Sequence, residues 1–282
     1  TIEPLMTAPI SDWHIVIGKY LAALGFLITM LLPTLVYGFM FYGQTFPRHV
    51  SDISNSSATN LKAMLSPLYL FMIGCMFLTA TTELGTTQWV QKLLGNAGAE
   101  PLLVLALVTG LMAVGRFFAG PIVHRLNPTG LLLASSVVSL VGIILLSVAE
   151  GNMTYLAAVV FAIGVCYFWP TMIGFIAEYI PKSGAFGMSI MGGAGMFATS
   201  VFQPVIGSWL DTNRAEAMAD LGKPVEQMTP AEQTIVDLAA GQATLANIAI
   251  LPAILIVAFG ILFFVMKKKG NKEEATTAEA VS

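Results

Sequence analysis

Long apolar runs alternate with polar connections along most of the chain. Each run approaches or exceeds the roughly 20 residues that an α-helix needs to cross a hydrocarbon core. The runs are too long for strands, and in lipid the backbone must satisfy its hydrogen bonds within each helix. The pattern therefore predicts an all-α, polytopic membrane protein with seven spanning helices, at residues 20–41, 67–90, 101–123, 129–149, 153–176, 184–210 and 245–266.

The polar segments divide the chain. Residues 1–43 hold a juxtamembrane stretch and the first span, and 67–266 hold a bundle of the other six. Between them, 44–66 contain SDISNSSATN and predict a flexible cytoplasmic linker. Residues 267–282 predict a disordered cytoplasmic tail. In the acidic connection 211–244, the sequence TPAEQ offers Thr229 as a helix N-cap and predicts a short surface helix.

Composition agrees with a membrane location. The chain of 282 residues is 56% hydrophobic and 10% charged, with a mean hydropathy of +0.79, whereas soluble domains carry about a quarter charged residues. The net charge of −3 argues against a nucleic-acid partner, and membrane lipid is the expected surrounding. The three His residues share no metal-ligand spacing with Cys or carboxylates. Nucleotide-binding and nucleophile motifs are absent too, so we expect no metal, no cofactor and no enzymatic activity.

Basic residues indicate the orientation. With the C-terminus placed inside, three basic residues lie outside, namely Lys92, Arg214 and Lys223. Nine lie inside, namely Arg48, Lys62, Arg116, Arg125, Lys182, Lys267, Lys268, Lys269 and Lys272. The positive-inside rule therefore predicts a plasma membrane (bacterial inner membrane) protein with a cytoplasmic C-terminus.

Glu83 is the strongest candidate for a functional residue. It lies well within the second apolar run, and ionised carboxylates at such positions usually face a cavity because burying them is costly. An α-helical period places Thr79, Glu83 and Thr86 on one face, with Thr82 beside them. This face and its neighbours Gln88 and Trp89 suit a polyhydroxylated solute, with Trp89 as a stacking surface. The alternative is a hydrated, structural Glu83 near the outer end of the span.

Other polar and aromatic positions in the spans are weaker candidates. Pro170 is expected to break the helical ladder of the fifth span, where Tyr167 and Trp169 flank it. Gln203 precedes Pro204, which predicts a similar break in the sixth span. Asn247 is the polar residue of the seventh span. Each is a candidate for lining a solute pathway.

Several of these motifs together resemble a known family. ELGTTQW, GRFFAGPIVHRLNPTG, YFWPTMIGFIAEYIP and GGAGMFATSVFQPVIGSWLD occur in succession within residues 32–266. This region resembles the C-terminal half of a major facilitator superfamily transporter, closest to the proton symporters of sugars typified by fucose permeases. The resemblance implies one six-helix half of that fold and proton-coupled alternating access for a small polar solute. It also implies a second half, absent from this chain, as a partner.

The stretch Gly115–Pro128 resembles the loop motif of this family, G-x-x-x-D-R-x-G-R. Gly120 and Arg125 match it, whereas His124 stands at the family's Asp and Asn127 at a Gly. We expect a cytoplasmic turn between two spans, with Gly115, Arg116, Gly120, His124 and Arg125 acting in gating together with the distant Pro170. Because His124 is not an anion, a latch built on a carboxylate is doubtful here.

Residues 1–31 resemble a different family. TIEPLMTAPISDWHIVIGKYLAALGF is similar to a segment of ABC-2 type permeases. A fusion or misassembled reading frame and ordinary divergence both account for this stretch. The alternative function is therefore a membrane subunit of an ABC-type exporter, which requires a separate ATPase. A remnant without transport activity is a third possibility.

Overall fold

The computed structural model describes residues 12–44, 57–95, 97–222 and 227–281, and all secondary structure within them is helical. The chain divides into two compact units, Thr1–Ile53 and Ser54–Ser282. In the first unit, helix α1 spans Asp12–Phe41 and carries exposed apolar side chains, of which Tyr37 and Phe41 stack with ring centroids 6.1 Å apart.

The second unit begins with helix α2, Ser57–Met64, which packs against a short 3-10 turn at Pro181–Ser183. The sequence predicts a flexible linker over 44–66. The α2 segment is instead helical, with Met64 at its end buried and Leu61 exposed. The remainder of the linker, 45–56, lies outside the described residues.

The second predicted span forms one long helical run with a local change of period. Helix α3 covers Pro67–Ala80, a π-helical turn covers Thr81–Gly85, and α4 covers Thr86–Leu94. Ser66 caps α3, its side chain accepting from the backbone N–H of Tyr69, and Pro67 occupies the first turn, where its missing N–H costs nothing. The π turn rotates the later side chains around the axis, so residues after Gly85 lie at other angles than the α period alone gives them.

The third and fourth predicted spans meet at a sharp turn. Helix α5 covers Pro101–Phe117, and α6 covers Ala119–Val148 with a reversal at Asn127, whose φ is 56° and ψ 154°. The extended ψ is what Pro128 imposes on the residue before it. The stretch 115–128, predicted as a cytoplasmic turn, is mostly helical, with breaks at Phe118 and Asn127.

The fifth predicted span is broken in the middle. Helix α7, Met153–Val165, ends at Cys166, and helix α8 begins at Phe168 and ends at Tyr179. This confirms the predicted break in the helical hydrogen-bond ladder of the fifth span, which lies just before Pro170. After the 3-10 turn, Gly184 adopts a φ of 59° that favours glycine and starts the next helix.

The last helices are longer than the apolar pattern predicts. Helix α9 covers Gly184–Leu221, α10 covers Pro230–Ile248 and α11 covers Ile250–Val281. The break predicted at Pro204 is wrong, since α9 continues through it, as spanning helices tolerate a single missing donor. The disordered tail predicted over 267–282 is helical as far as Val281, because Lys, Glu and Ala favour helix. The cap at Thr229 is confirmed: a capping box with Glu232 starts α10.

Five helical segments of the described residues are long and apolar enough to cross a membrane: Pro67–Trp89, Arg125–Val148, Met153–Tyr179, Pro181–Leu221 and Pro230–Lys268. Pro101–Phe117 is a shorter apolar helix. The sequence predicts seven spans; the third of them is shortened by the break at Phe118, and the first falls in the separate N-terminal unit.

Close helix packing fixes the centre of the second unit. Gly142 on α6 lies against the backbone of Phe161 on α7, and Gly164 on α7 lies against that of Ser139 on α6, so a Cβ at either glycine would clash. Helix α5 packs mainly on α7 rather than α6. As a result, the end of α5, which carries Arg116, lies beside the break that follows Val165.

Candidate functional site

Glu83 lies inside the π turn of the second span and is 4% exposed. The hydroxyl groups of Thr81 and Thr82 donate to the carbonyls of Phe77 and Leu78, both at 2.7 Å, in the preceding turn. The backbone N–H of Thr81 donates to the same two carbonyls, so the hydroxyl bonds add to the backbone ladder where the α period changes to the π period. Turns of this kind occur frequently at functional sites in helices, and this one carries an acidic side chain within an apolar span.

An ion pair joins Glu83 to Arg116. The guanidinium Nη2 donates to Oε1 of Glu83 at 2.8 Å, and the side chains are 5% exposed for Glu83 and 37% for Arg116. Burying a carboxylate without a cation is costly, so the pair explains how Glu83 is tolerated in the bundle. Both residues lie in or at apolar spans of the sequence, and charges in such positions usually pair. That signal could have predicted the contact, although the sequence pattern led us to expect separate roles for the two residues.

Arg116 also binds the backbone at the break in the fifth span. Its Nε donates to the carbonyl of Cys166 at 2.9 Å. The phenol of Tyr167 donates to the carbonyl of Gly115 at 3.1 Å, and the thiol of Cys166 lies 3.4 Å from the carbonyl of Met112. The end of α5 is therefore tied to the α7–α8 break by three hydrogen bonds. Arg116 is thus a link between spans rather than only an anchor at the headgroups.

The glycine at position 115 makes this approach possible. A Cβ there would lie 2.7 Å from Sγ of Cys166, well inside van der Waals contact. By contrast, a Cβ at Gly120 would meet nothing within 4 Å. Of the two glycines predicted to act in gating, only Gly115 has a packing requirement in this structure.

A second polar group joins the fourth helix to α9. The indole Nε1 of Trp89 donates to Oε1 of Gln203, and the amide of Gln203 donates to Oε1 of Gln88. The structure thus brings together three residues that the sequence selected independently. Lys92 lies over the Trp89 ring, 5.0 Å from its centroid, so the face proposed for stacking a solute already holds a cation.

Hydrogen-bonding capacity remains at two buried atoms in the second span. Within the described residues, Oε2 of Glu83 and Oγ1 of Thr86 have no hydrogen-bond partner. The other predicted hydroxyls are engaged with their own helix, since Thr79 donates to the carbonyl of Met76 and Thr82 to that of Leu78. Thr86 is therefore the hydroxyl of the predicted face that remains available to a ligand.

The remaining predicted residues lie elsewhere. Trp169 packs against Gly195, because a Cβ on Gly195 would lie 2.7 Å from its ring. This is a packing role. Asn247 is exposed on α10, and Arg125 is exposed near the Asn127 turn. The side chain of His124 lies outside the described residues.

Across the described parts of the chain, no three His, Cys, Asp or Glu side chains come together as a metal site would require. Comparison with family models, curated proteins and solved structures gives no match to this chain.

Proposed function

We propose that the second unit is one half of a secondary active transporter that moves a small polar solute, such as a sugar, together with protons. The observation that carries the proposal is the buried Glu83, which has one oxygen on Arg116 and the other unpartnered. A carboxylate of this kind inside an apolar bundle is expensive to maintain, and such residues usually serve an ion or solute pathway.

The pair offers a simple way to couple a proton to a conformational change. Protonation of Glu83 removes the charge that holds Nη2 of Arg116, so the link between the second span and α5 weakens. The free Oε2 gives a proton or a solute hydroxyl a place to bind without first displacing a protein group. In this proposal Glu83 binds both the proton and the solute.

The solute class follows from the groups that surround the pair. Thr86 has an unpartnered hydroxyl, and Gln88 is an exposed amide hydrogen-bonded to Gln203. Hydroxyl, amide and carboxylate groups recognise polyhydroxylated molecules, since each can both orient and select hydroxyl groups. In this proposal the solute contacts Glu83, Thr86, Gln88 and Gln203. Trp89 instead donates to the side-chain amide of Gln203.

Helix interruptions support a moving structure. The π turn at Thr81–Gly85 carries Glu83, and the break after Val165 carries the carbonyl to which Arg116 donates. Broken spanning helices of this kind form substrate sites near the midplane of secondary transporters. We further propose that the bundle works against a second six-helix half, in a plasma membrane and with its C-terminus in the cytoplasm.

Ligand binding tests the proposal directly. The purified chain in lipid nanodiscs is titrated with a panel of monosaccharides while tryptophan fluorescence is recorded, with a pH dye in weakly buffered solution. We expect at least one sugar to give a saturable signal with proton uptake, and expect Glu83→Gln to abolish both. Glu178→Gln, which changes an exposed carboxylate on α8, is the matched control and retains them. Equal binding and proton uptake in both variants would remove Glu83 from the proposal.

The same preparation addresses the ABC-type alternative. A subunit of such an exporter co-purifies with an ATPase and moves its solute only with ATP. Proton uptake in the absence of ATP favours the transporter proposed above.

A further inference from the structure

The break in the fifth span has a defined chemical origin. In an α-helix the carbonyl of residue 166 accepts from the N–H of residue 170. Residue 170 is proline, which has no N–H, and its ring disfavours a close carbonyl at that distance. The next bond of the ladder is present, since the N–H of Thr171 donates to the carbonyl of Tyr167 at 3.1 Å. The Cys166 carbonyl is therefore among the acceptors at this break that lack a helical donor.

This acceptor lies in the interior of the bundle. Cys166 is 2% exposed, and a buried carbonyl without a donor is destabilising. Nε of Arg116 supplies the donor at 2.9 Å from a different span. The side chain thus completes a backbone ladder that the proline leaves open.

The guanidinium is consequently held at two points. Nε binds the Cys166 carbonyl, and Nη2 binds Glu83 at 2.8 Å. Two bonds from one planar group fix its orientation, which a single bond to a carboxylate does not. The Cys166 bond does not depend on the state of Glu83, so it keeps Arg116 in place when the carboxylate changes its charge or its ligand.

We propose that Pro170 is a positioning residue, which aims Arg116 at Glu83 by denying the Cys166 carbonyl its helical donor. The inference deepens the proposed function, and only its consequence for transport rests on that function. A proline alone does not explain the arrangement: Pro204 lies within α9, which continues as helix on both sides. What distinguishes Pro170 is the arginine that uses the freed carbonyl.

The chain suits a direct test because it contains only four arginines, Arg48, Arg116, Arg125 and Arg214. Arginine-selective ¹⁵N labelling of the full chain in lipid bilayers gives four Nε–H signals, and single Arg→Lys variants assign them. The readout is the solvent exchange rate of the Arg116 Nε–H, which reports its hydrogen bond without any solute. Thermal unfolding confirms that each variant is folded.

Three variants separate positioning from a general effect on the helix. Pro170→Ala restores the N–H, so we expect the Cys166 carbonyl to return to its ladder and the Arg116 Nε–H to exchange about tenfold faster, as loss of one charge-assisted bond implies. An α-hydroxy acid (lactate) at position 170 lacks the N–H as proline does, and we expect exchange to stay slow. Pro204→Ala, the same change in another helix, also leaves it slow.

Unchanged exchange in folded Pro170→Ala, or fast exchange with lactate at position 170, overturns the positioning role. If Pro170→Ala releases Arg116 while sugar binding by the wild-type chain is absent, the positioning inference stands and the transport proposal fails. If sugar binding depends on Glu83 but the exchange rate of the Arg116 Nε–H does not respond to Pro170→Ala, the transport proposal stands and the positioning inference fails.

Discussion

Arg116 donates to Oε1 of Glu83 at 2.8 Å, although the two residues are 33 positions apart in the chain. The contact links the π turn of the second span to the end of α5, which also binds the break in the fifth span. Three interrupted helices therefore meet at one charged pair.

A double-mutant cycle measures the strength of the pair. We expect Glu83→Gln and Arg116→Gln each to lower the free energy of unfolding by about 1–3 kcal/mol. Arg116→Gln leaves the buried Glu83 carboxylate without its cation, and Glu83→Gln removes the charge to which Arg116 donates. The double variant loses less than the sum, with a coupling energy of about 1–2 kcal/mol. Unfolding in detergent, followed by circular dichroism, measures it. Additive losses would show that the contact contributes nothing of its own.

Gly115→Ala tests the close approach of Cys166. The added methyl group meets Sγ of Cys166, so we expect a loss of about 1–3 kcal/mol in unfolding free energy from overpacking. Cys166→Ala in the same chain removes the clash and restores most of the loss. Gly120→Ala, which meets nothing within 4 Å, serves as the control and changes stability little. Equal effects at both glycines would disprove the packing requirement.

Asn127→Gly tests the turn between α5 and α6. Asn127 holds a φ of 56° and a ψ of 154°, a region that glycine adopts far more readily. We expect this variant to raise the unfolding free energy by about 1 kcal/mol, and Asn127→Ala to lower it. Asn247→Gly, in the last turn of helix α10, should instead destabilise by a few tenths of a kcal/mol, because glycine is a poorer helix former than asparagine. A loss of stability at both asparagines contradicts the strained turn.

Thr229→Ala tests the capping box of α10. The hydroxyl accepts from the backbone N–H of Glu232, whose carboxylate accepts from the backbone N–H of Thr229. We expect a loss of about 1 kcal/mol, seen as faster amide exchange in the first turn of the helix. Thr234→Ala, which removes only a hydroxyl bonded to its own helix, is the control. Similar exchange in the two variants would rule out a capping role.

The sequence predicts most of the helices because their signals are local. Apolar length fixes the spans, Thr229 and Glu232 fix the start of α10, and Pro170 fixes the break in the fifth span. The ends of α9 and α11 are less well predicted, because both helices continue beyond their apolar runs through polar residues that still favour helix.

The site is predicted only in part, because its contacts are not local. Glu83 is recognisable as a charge within a span, but its partner is chosen by the packing of α5 on α7. The π turn is also invisible to an α period. The spacing of residues does not reveal either that the hydroxyls of Thr79 and Thr82, both expected to face a solute, bond to carbonyls of their own helix. The amide contact of Gln203 with Gln88 depends in the same way on how α9 packs.

Proton-driven sugar uptake is the most direct test of the central claim. Proteoliposomes that hold the chain with a second six-helix half are given an inward proton gradient, and uptake of a sugar bound in the titration is followed. We predict uptake by wild type and by Glu178→Gln, and none by Glu83→Gln at equal protein content. Proton-driven uptake by Glu83→Gln at the wild-type rate would contradict the account.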